Sequence, residues 1–310
     1  MASGRKPGAG LAVKPGMRLA ADMHPPCTLR RVTDHVWWFT PESRRDRPSL
    51  AVVVGEKESL LLDVGASPAH LGECLAAVAV AGLRPPARAV LSHAHWDHVF
   101  GIEAFVGAVV AQRLTAAQLE RMRTWDYSDA GLPAVVADGR EIAFTAEYIP
   151  RELTDAQRRA LKLRLPDAVF EETWTAELGG VAVHAHHVGG DHAADAVVIH
   201  VPGDGLLFLG DCLCDDLWAP VRRYTRGRFL PLLTQLEKLG SAIMIEGHNP
   251  ELFTGKELIA LTALVRDAYS TLDRLGSGPR PELRVDLTTR HAAGLVDDIL
   301  PPILAGFDQT

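Results

Sequence analysis

The chain has 310 residues, 47% hydrophobic and 23% charged, enough to bury a large core; this excludes a disordered chain and a small disulfide-stapled one. Its 32 Lys and Arg against 39 Asp and Glu leave a formal charge of −7, which argues against a nucleic-acid partner. The cysteines, Cys27, Cys74, Cys212 and Cys214, are scattered, and this fits a reducing cytoplasm better than a secreted disulfide framework.

The N-terminal stretch MASGRKPGAGLAVKPGMRLAADMHPP carries positive charge but no sustained apolar segment, so no signal peptide is read there. Its Gly, Pro and Ala content marks residues 1–29 as a loose arm, or as a segment laid over a partner subunit in a homo-oligomer. No apolar run reaches the ~18 residues that span a bilayer, so no membrane partner is expected. Ordered structure is predicted from about Arg30. HVWWF is aromatic and β-branched, as strands are. A charged loop from Pro41 to Ser49 leads to LAVVV, a GEKES turn and LLLDVG, which read as a hairpin with both faces covered. Pro68 to Ala81 has the spacing of a helix, with Leu71, Leu75 and Val78 on one face. ARAVLSHAHWDH then runs as a buried strand straight into a polar cluster.

A helical insertion is predicted over about 102–167, with LTAAQLERMRTWD and LTDAQRRALKLRL as amphipathic helices opened by Thr caps. A Gly/Pro-bearing stretch from Gly131 to Pro150 lies between them. Strands return with AVFEETWTAEL, VAVHAHH, AVVIHVP and GLLFLGD, separated by tight turns. A helix over about 228–239, the short strand AIMIEGH and a helix over about 255–275 follow. A Gly/Pro break at 276–281 precedes a helical tail. The organisation expected is an arm over 1–29, one domain over 30–275 and a C-terminal tail over 276–310. Two sheet-forming halves flanked by helices imply a layered α/β sandwich rather than a doubly wound sheet.

The feature that carries chemistry is His93-Ala94-His95-Trp96-Asp97-His98, three imidazoles and a carboxylate within six residues, directly after an apolar strand. Imidazole nitrogen and carboxylate oxygen are good ligands for zinc and related metals. On an extended start His93 and His95 point to the same side and can share one ion. A turn at Trp96 then lets Asp97 and His98 point to a second. Of the remaining histidines, His184 and His186 alternate along a strand, and His200 lies inside one; these read as sheet-face residues.

This cluster resembles the signature of the metallo-β-lactamase-fold hydrolases, and the resemblance covers roughly residues 32–265 apart from the insertion. It implies an αββα sandwich with the metals at one sheet edge. It places Asp63, in LLLDVG, close behind the metal site without ligating. It also implies three further ligands. His192, in the turn before AVVIHVP, fits the third histidine best, with His187 as the alternative. Asp211, ending LLFLGD, matches a carboxylate bridging two metals, and His248, after AIMIEG, matches the last histidine. His93, His95 and His192 would then hold one ion. Asp97, His98 and His248 would hold a second, with Asp211 between them. Two divalent ions are implied, zinc first, with iron or manganese as alternatives. A metal-bridging hydroxide would attack a small ester, lactone or thioester, with Asp97 orienting it. An Asp rather than a Cys at 211 is similar to the glyoxalase II and lactonase branches. A mononuclear iron sulfur dioxygenase of the same fold and a β-lactam hydrolase are the alternatives. Cys212 should point away from Asp211, and Cys212 with Cys214 would be at most a soft metal pair.

Substrate contacts are expected from loops at that edge: Trp37, Trp38 and the arginine-rich loop Arg44 to Arg47, then a lid carrying Met122, Trp125 and Tyr127. Trp218, in the loop after Asp211, is expected against a small-molecule substrate, and Tyr224 as a donor to an oxyanion. The competing expectation for each aromatic is core packing.

Overall fold

The computed structural model describes residues 25–275 and 281–307. Most of the expected N-terminal arm, up to residue 24, and the break at 276–280 lie outside the described residues. The chain opens with strands β1 (Leu29–Arg31), β2 (Val36–Phe39), β3 (Leu50–Val54) and β4 (Ser59–Leu62). Helix α1 (Pro68–Val80) leads to β5 (Arg88–Val90), the single turn α2 (Trp96–Val99) and β6 (Ala108–Gln112). Helices α3 (Arg113–Met122), α4 (Leu132–Ala137), α5 (Ala143–Glu152) and α6 (Asp155–Ala160) follow. Strands β7 (Ala168–Phe170), β8 (Thr173–Glu177), β9 (Ala182–His187), β10 (Val197–Val201) and β11 (Leu206–Gly210) come next. The chain then forms α7 (Arg226–Leu239), β12 (Ile243–Glu246), β13 (Phe253–Thr254), α8 (Gly255–Leu275), α9 (Pro281–Thr288) and α10 (Ala293–Phe307).

β1 to β7 make one sheet in chain order, antiparallel up to β4 and parallel from β4 onward. β8 to β13 make the second, with only β11 and β12 parallel. The β3–β4 hairpin shows why both its strands are apolar throughout. Ala51, Val53, Leu60 and Leu62 face the second sheet, packing with Val183, Ile199 and Phe208. Val52 and Leu61 face the other way, toward Leu71, Cys74 and Val78 of α1. The second sheet is covered on its outer side by α7, α8, α9 and α10, through Leu233, Leu264, Leu283 and Ile299. The layers therefore run α, β, β, α. No helix among the described residues is long and apolar enough to cross a membrane.

Three local expectations need correction. The helical insertion does not begin at residue 102, because Ala108–Gln112 is a buried parallel strand of the first sheet; helices interrupt the strands only over 113–167. AVFEETWTAEL is two strands. β7 ends the first sheet and β8 starts the second, so Glu171 and Glu172 carry the chain across the edge. The first helix of the insertion is capped by Gln112, whose side chain accepts from Leu114 N. The second, shorter than expected, has Thr154 and Gln157 in a capping box.

The insertion is tied to the sandwich by a buried cation. Arg47 is 1% exposed and donates through Nε and Nη2 to Glu152 of α5, at 2.8 and 2.9 Å, and through Nη1 to Glu73 of α1 at 2.8 Å. Ser67 also donates to Glu152. Removing one partner of a buried, bidentate pair strands the other's charge. Arg47→Met is therefore expected to lower the unfolding free energy by about 3–5 kcal/mol, measured by urea denaturation. A loss below about 1 kcal/mol would show that this clamp behaves as a surface pair.

Candidate metal centre and its cleft

After β5 the chain stays extended to His95, which caps α2 at φ −77° and ψ 150°. The extended part turns His93 and His95 to one side, and the helical turn carries Asp97 and His98 to a neighbouring position. Two carboxylates, the buried Asp63 and the half-buried Asp195, fix this segment. Asp63, at the end of β4, accepts from Ser92 N at 2.6 Å and from Ser92 Oγ at 2.7 Å, and holds His98 Nδ1 at 2.7 Å. Asp195, after the His192 turn, accepts from Ala94 N and from Thr115 Oγ1, both at 2.9 Å.

Three other chain segments converge on the same edge. His192 follows Gly189 and Gly190, both at positive φ, which turn the chain between β9 and β10. Asp211 follows β11, and His248 follows β12. Gly247 has to be glycine here, since a Cβ would stand 1.9 Å from Asp211 Oδ1. The ligand atoms of His93, His95 and His192 all lie within 4.8 Å of one another, and so do those of Asp97, His98, Asp211 and His248. Asp211 joins the groups: its Oδ2 is 3.4 Å from His192 Nε2 and 3.3 Å from His248 Nε2, and its Oδ1 is 3.5 Å from His98 Nε2. Asp97 Oδ2 is 3.0 Å from His248 Nε2 and 3.4 Å from His98 Nε2.

The electrostatics differ between the two groups. Burial pushes His93 well down from the usual imidazole range, His192 down, and His95 down to about 3. Those rings are neutral at pH 7, the form that ligates. Burial also pulls on His98 and His248, but carboxylates outweigh it and raise both: Asp97, Asp211 and Asp63 for His98, and Asp211 and Asp46 for His248. Asp211 is held well below the carboxylate range, against burial, by His248 and His98.

The residues fit a metal. His98 Nε2, both ring nitrogens of His192 and Asp211 Oδ1 are buried with no hydrogen-bond partner among the described residues. Leaving such atoms unpaired costs about 1–3 kcal/mol each, and His98 Nε2 and His192 Nε2 both face Asp211. A divalent cation would satisfy them with the N and O donors zinc prefers.

The other candidates are placed elsewhere. His187 Nε2 bonds the Ala194 carbonyl at 2.8 Å, and His184, His186 and His200 stack along β9 and β10. Cys212 is buried in the core under α7, whereas Cys214 turns to His192 and Asp211, so the two thiols do not form a pair.

A narrow cleft opens above the cluster, with a cavity volume of about 40 Å³. Beyond the clustered residues, its walls include Asp46, Glu141, Phe144, Thr145, Leu217 and Trp218. Trp218 is 47% exposed, with its ring 5.5 Å from that of His95. Tyr224 does not reach the cleft. It is fully buried, stacks on Phe229 at 3.9 Å and donates its hydroxyl to the Leu213 carbonyl at 3.0 Å. Met122 and Tyr127 are core residues beneath the insertion, and the wall it presents is the start of α5. Trp38 is buried and donates to Ser49 Oγ. In the arginine-rich loop Arg47 turns inward to its clamp, and Asp46, at φ 57°, is the side chain lining the cleft. The sequence carries no periodic or motif signal for Asp46, Glu141 or Cys214. Only the folded loops bring them here.

A protein-family model described as the metallo-beta-lactamase superfamily matches residues 44–249. No curated protein sequence matches the chain. Among solved structures, a metallo-beta-lactamase from Pontibacter korlensis is similar at 18% identity and a TM-score of 0.54, over 77% of this chain and 99% of that one. TMB-1 is similar at 15% identity and 0.55, over 79% and 99%, and the DIM-1 metallo-beta-lactamase at 15% and 0.53, over 78% and 97%. At such identities the likeness shows the fold.

The two aromatics near Asp211 should separate in stability. Tyr224→Ala is expected to cost more than about 3 kcal/mol, and Tyr224→Phe about 1 kcal/mol for its hydroxyl bond. Trp218→Ala should stay within about 0.5 kcal/mol of the parent. Urea denaturation of the three variants decides, and a large loss for Trp218→Ala would assign that ring to the core.

Proposed function

Because the chain belongs to the metallo-beta-lactamase superfamily, we propose that it is a dinuclear zinc hydrolase of a small ester, lactone or thioester. The observation that carries this reading is the pair of buried donor sets that meet at Asp211. A mononuclear site would leave the Asp97, His98 and His248 set without a purpose. His93, His95 and His192 would hold one ion; Asp97, His98 and His248 would hold the other, with Asp211 shared. Bound there, such ions supply Lewis acidity and lower the pKa of a water to about 7.

The protein's own groups do the positioning. Asp63 fixes His98 through Nδ1, which leaves Nε2 facing Asp97 and Asp211. Asp195 holds the backbone between His93 and His95. Asp97 has a second carboxylate oxygen with which to accept a hydrogen from the nucleophilic water. Phe144 and Trp218 form an apolar wall for the acyl group. The proposed setting is the cytoplasm, which suits four free thiols.

Two outcomes are expected from the zinc-reconstituted protein. Elemental analysis should give close to two equivalents per chain, with activity lost on chelation and restored by zinc; a single iron per chain would overturn the proposal. Asp211→Ala should lose at least one equivalent and about 10³-fold in kcat/KM, while Cys212→Ser keeps both ions. Asp63→Asn is expected to weaken the affinity of one site by about 10–100-fold, read by competition with a chromophoric chelator. Equal metal loss in the Asp211 and Cys212 variants would refute Asp211 as the shared ligand.

A further inference from the structure

Two carboxylates line the cleft outside the clustered donors, and one of them, Asp46, also stands 3.5 Å from His248 Nδ1 through its Oδ1. Asp46 comes from the loop before β3, and Glu141 lies just before α5, far apart in sequence. Both line the cleft that holds His95, His192 and His248. The Glu141 residue is 8% exposed, with Thr145 as its hydrogen-bonding neighbour, and burial pushes its carboxyl up to about 7. Such a shift marks a carboxylate lacking a cation beside it.

Most cationic side chains in this region are engaged elsewhere, and Arg44 is exposed and not part of the cleft lining. Arg47 is buried in the clamp with Glu152 and Glu73, and Arg45 pairs with Glu42. Arg140 pairs with Asp138 and lies over Trp125. Arg222 pairs with Asp215 and Asp298, and Arg223 with Asp216. Among the described residues, no Lys or Arg lines the cleft. Away from the metal ligands, a substrate carboxylate would meet Asp46 and Glu141 with no guanidinium or ammonium to receive it. A substrate cation would meet two carboxylates and the aromatic side chains of Phe144 and Trp218, a composition that favours alkylammonium groups.

We infer that Asp46 and Glu141 are specificity-determining residues which select hydrolysable acyl compounds bearing an alkylammonium group and reject those bearing a carboxylate. This rests on the hydrolase reading above for the reaction, but not for the binding.

The test uses the zinc-loaded full chain and p-nitrophenyl esters of three acids of similar length: 4-(trimethylammonio)butanoate, the neutral 5-methylhexanoate, and glutarate with its free carboxylate. The cationic ester should be preferred over the anionic one by at least ~30-fold in kcat/KM, with the neutral ester between. Glu141→Gln should compress that ratio by about tenfold, while the rate on the neutral ester changes much less; Asp46→Asn should compress it as well, with its zinc content measured alongside because Asp46 faces His248. Tetramethylammonium chloride, titrated calorimetrically, should bind the parent and bind Glu141→Gln at least ~10-fold more weakly. Circular dichroism and melting confirm that each variant is folded. Equal turnover of the cationic and anionic esters, or a ratio unmoved in both variants, overturns the assignment while leaving the hydrolase reading intact. Binding of tetramethylammonium that depends on Glu141, with no ester turned over, upholds the assignment and sinks the hydrolase reading.

Discussion

The site depends on a single buried carboxylate that ligates nothing. Asp63 sits at φ 60°, a left-handed conformation that side chains other than Gly, Asn and Asp rarely accept. There its oxygens take up the backbone and hydroxyl of Ser92 and the Nδ1 of His98. These contacts tie the end of β4 to the end of β5 and to α2, where the parallel part of the first sheet begins. A charge so deep is tolerated because three donors surround it. The result is that His98 has one available nitrogen, and its direction is set before any ligand arrives.

A second constraint works from the opposite side of the cleft. Arg47 is among the largest fully buried side chains, and its fork reaches Glu152 of α5 and Glu73 of α1 at once. Drawing Arg47 inward forces its neighbour outward, so Asp46 is delivered to the cleft next to His248. The same ion pair anchors the end of α5, whose opposite end carries Glu141. One structural clamp thereby assembles both carboxylates of the wall. The arginine-rich loop looked electropositive as a string of residues. Folded, it shows the cleft an acid.

The layers explain why the two donor groups meet. Each ligand segment follows a strand: His93 to His98 after β5, His192 between β9 and β10, Asp211 after β11, His248 after β12. Because the sheets face each other across a dry core of Val, Leu, Ile and Phe side chains, these strand ends share one edge. The Ser49 N to Gly247 carbonyl bond, at 2.6 Å, closes that edge between the sheets. Close approach is then paid for by small residues, with Gly247 backing Asp211.

The sequence by itself determined the sandwich, its fully covered hairpin and the residues now clustered at the sheet edge. These were legible because their causes are local: apolar runs make buried strands, and His93 to His98 combine donor chemistry with an extended-then-turning backbone. It did not determine that AVVAQ is a strand of the first sheet, because a five-residue apolar run next to helical sequence has no period that separates it from its neighbours. Nor did it place Tyr224 in the core, since a tyrosine two residues before the start of a helix reads equally as wall or packing until Leu213 O claims its hydroxyl. Only the tertiary structure turned Arg47 in and brought Asp46 and Glu141 to one cleft. Those orientations follow from ion pairs spanning 26 and 105 residues of chain, and no local pattern encodes a partner that far away.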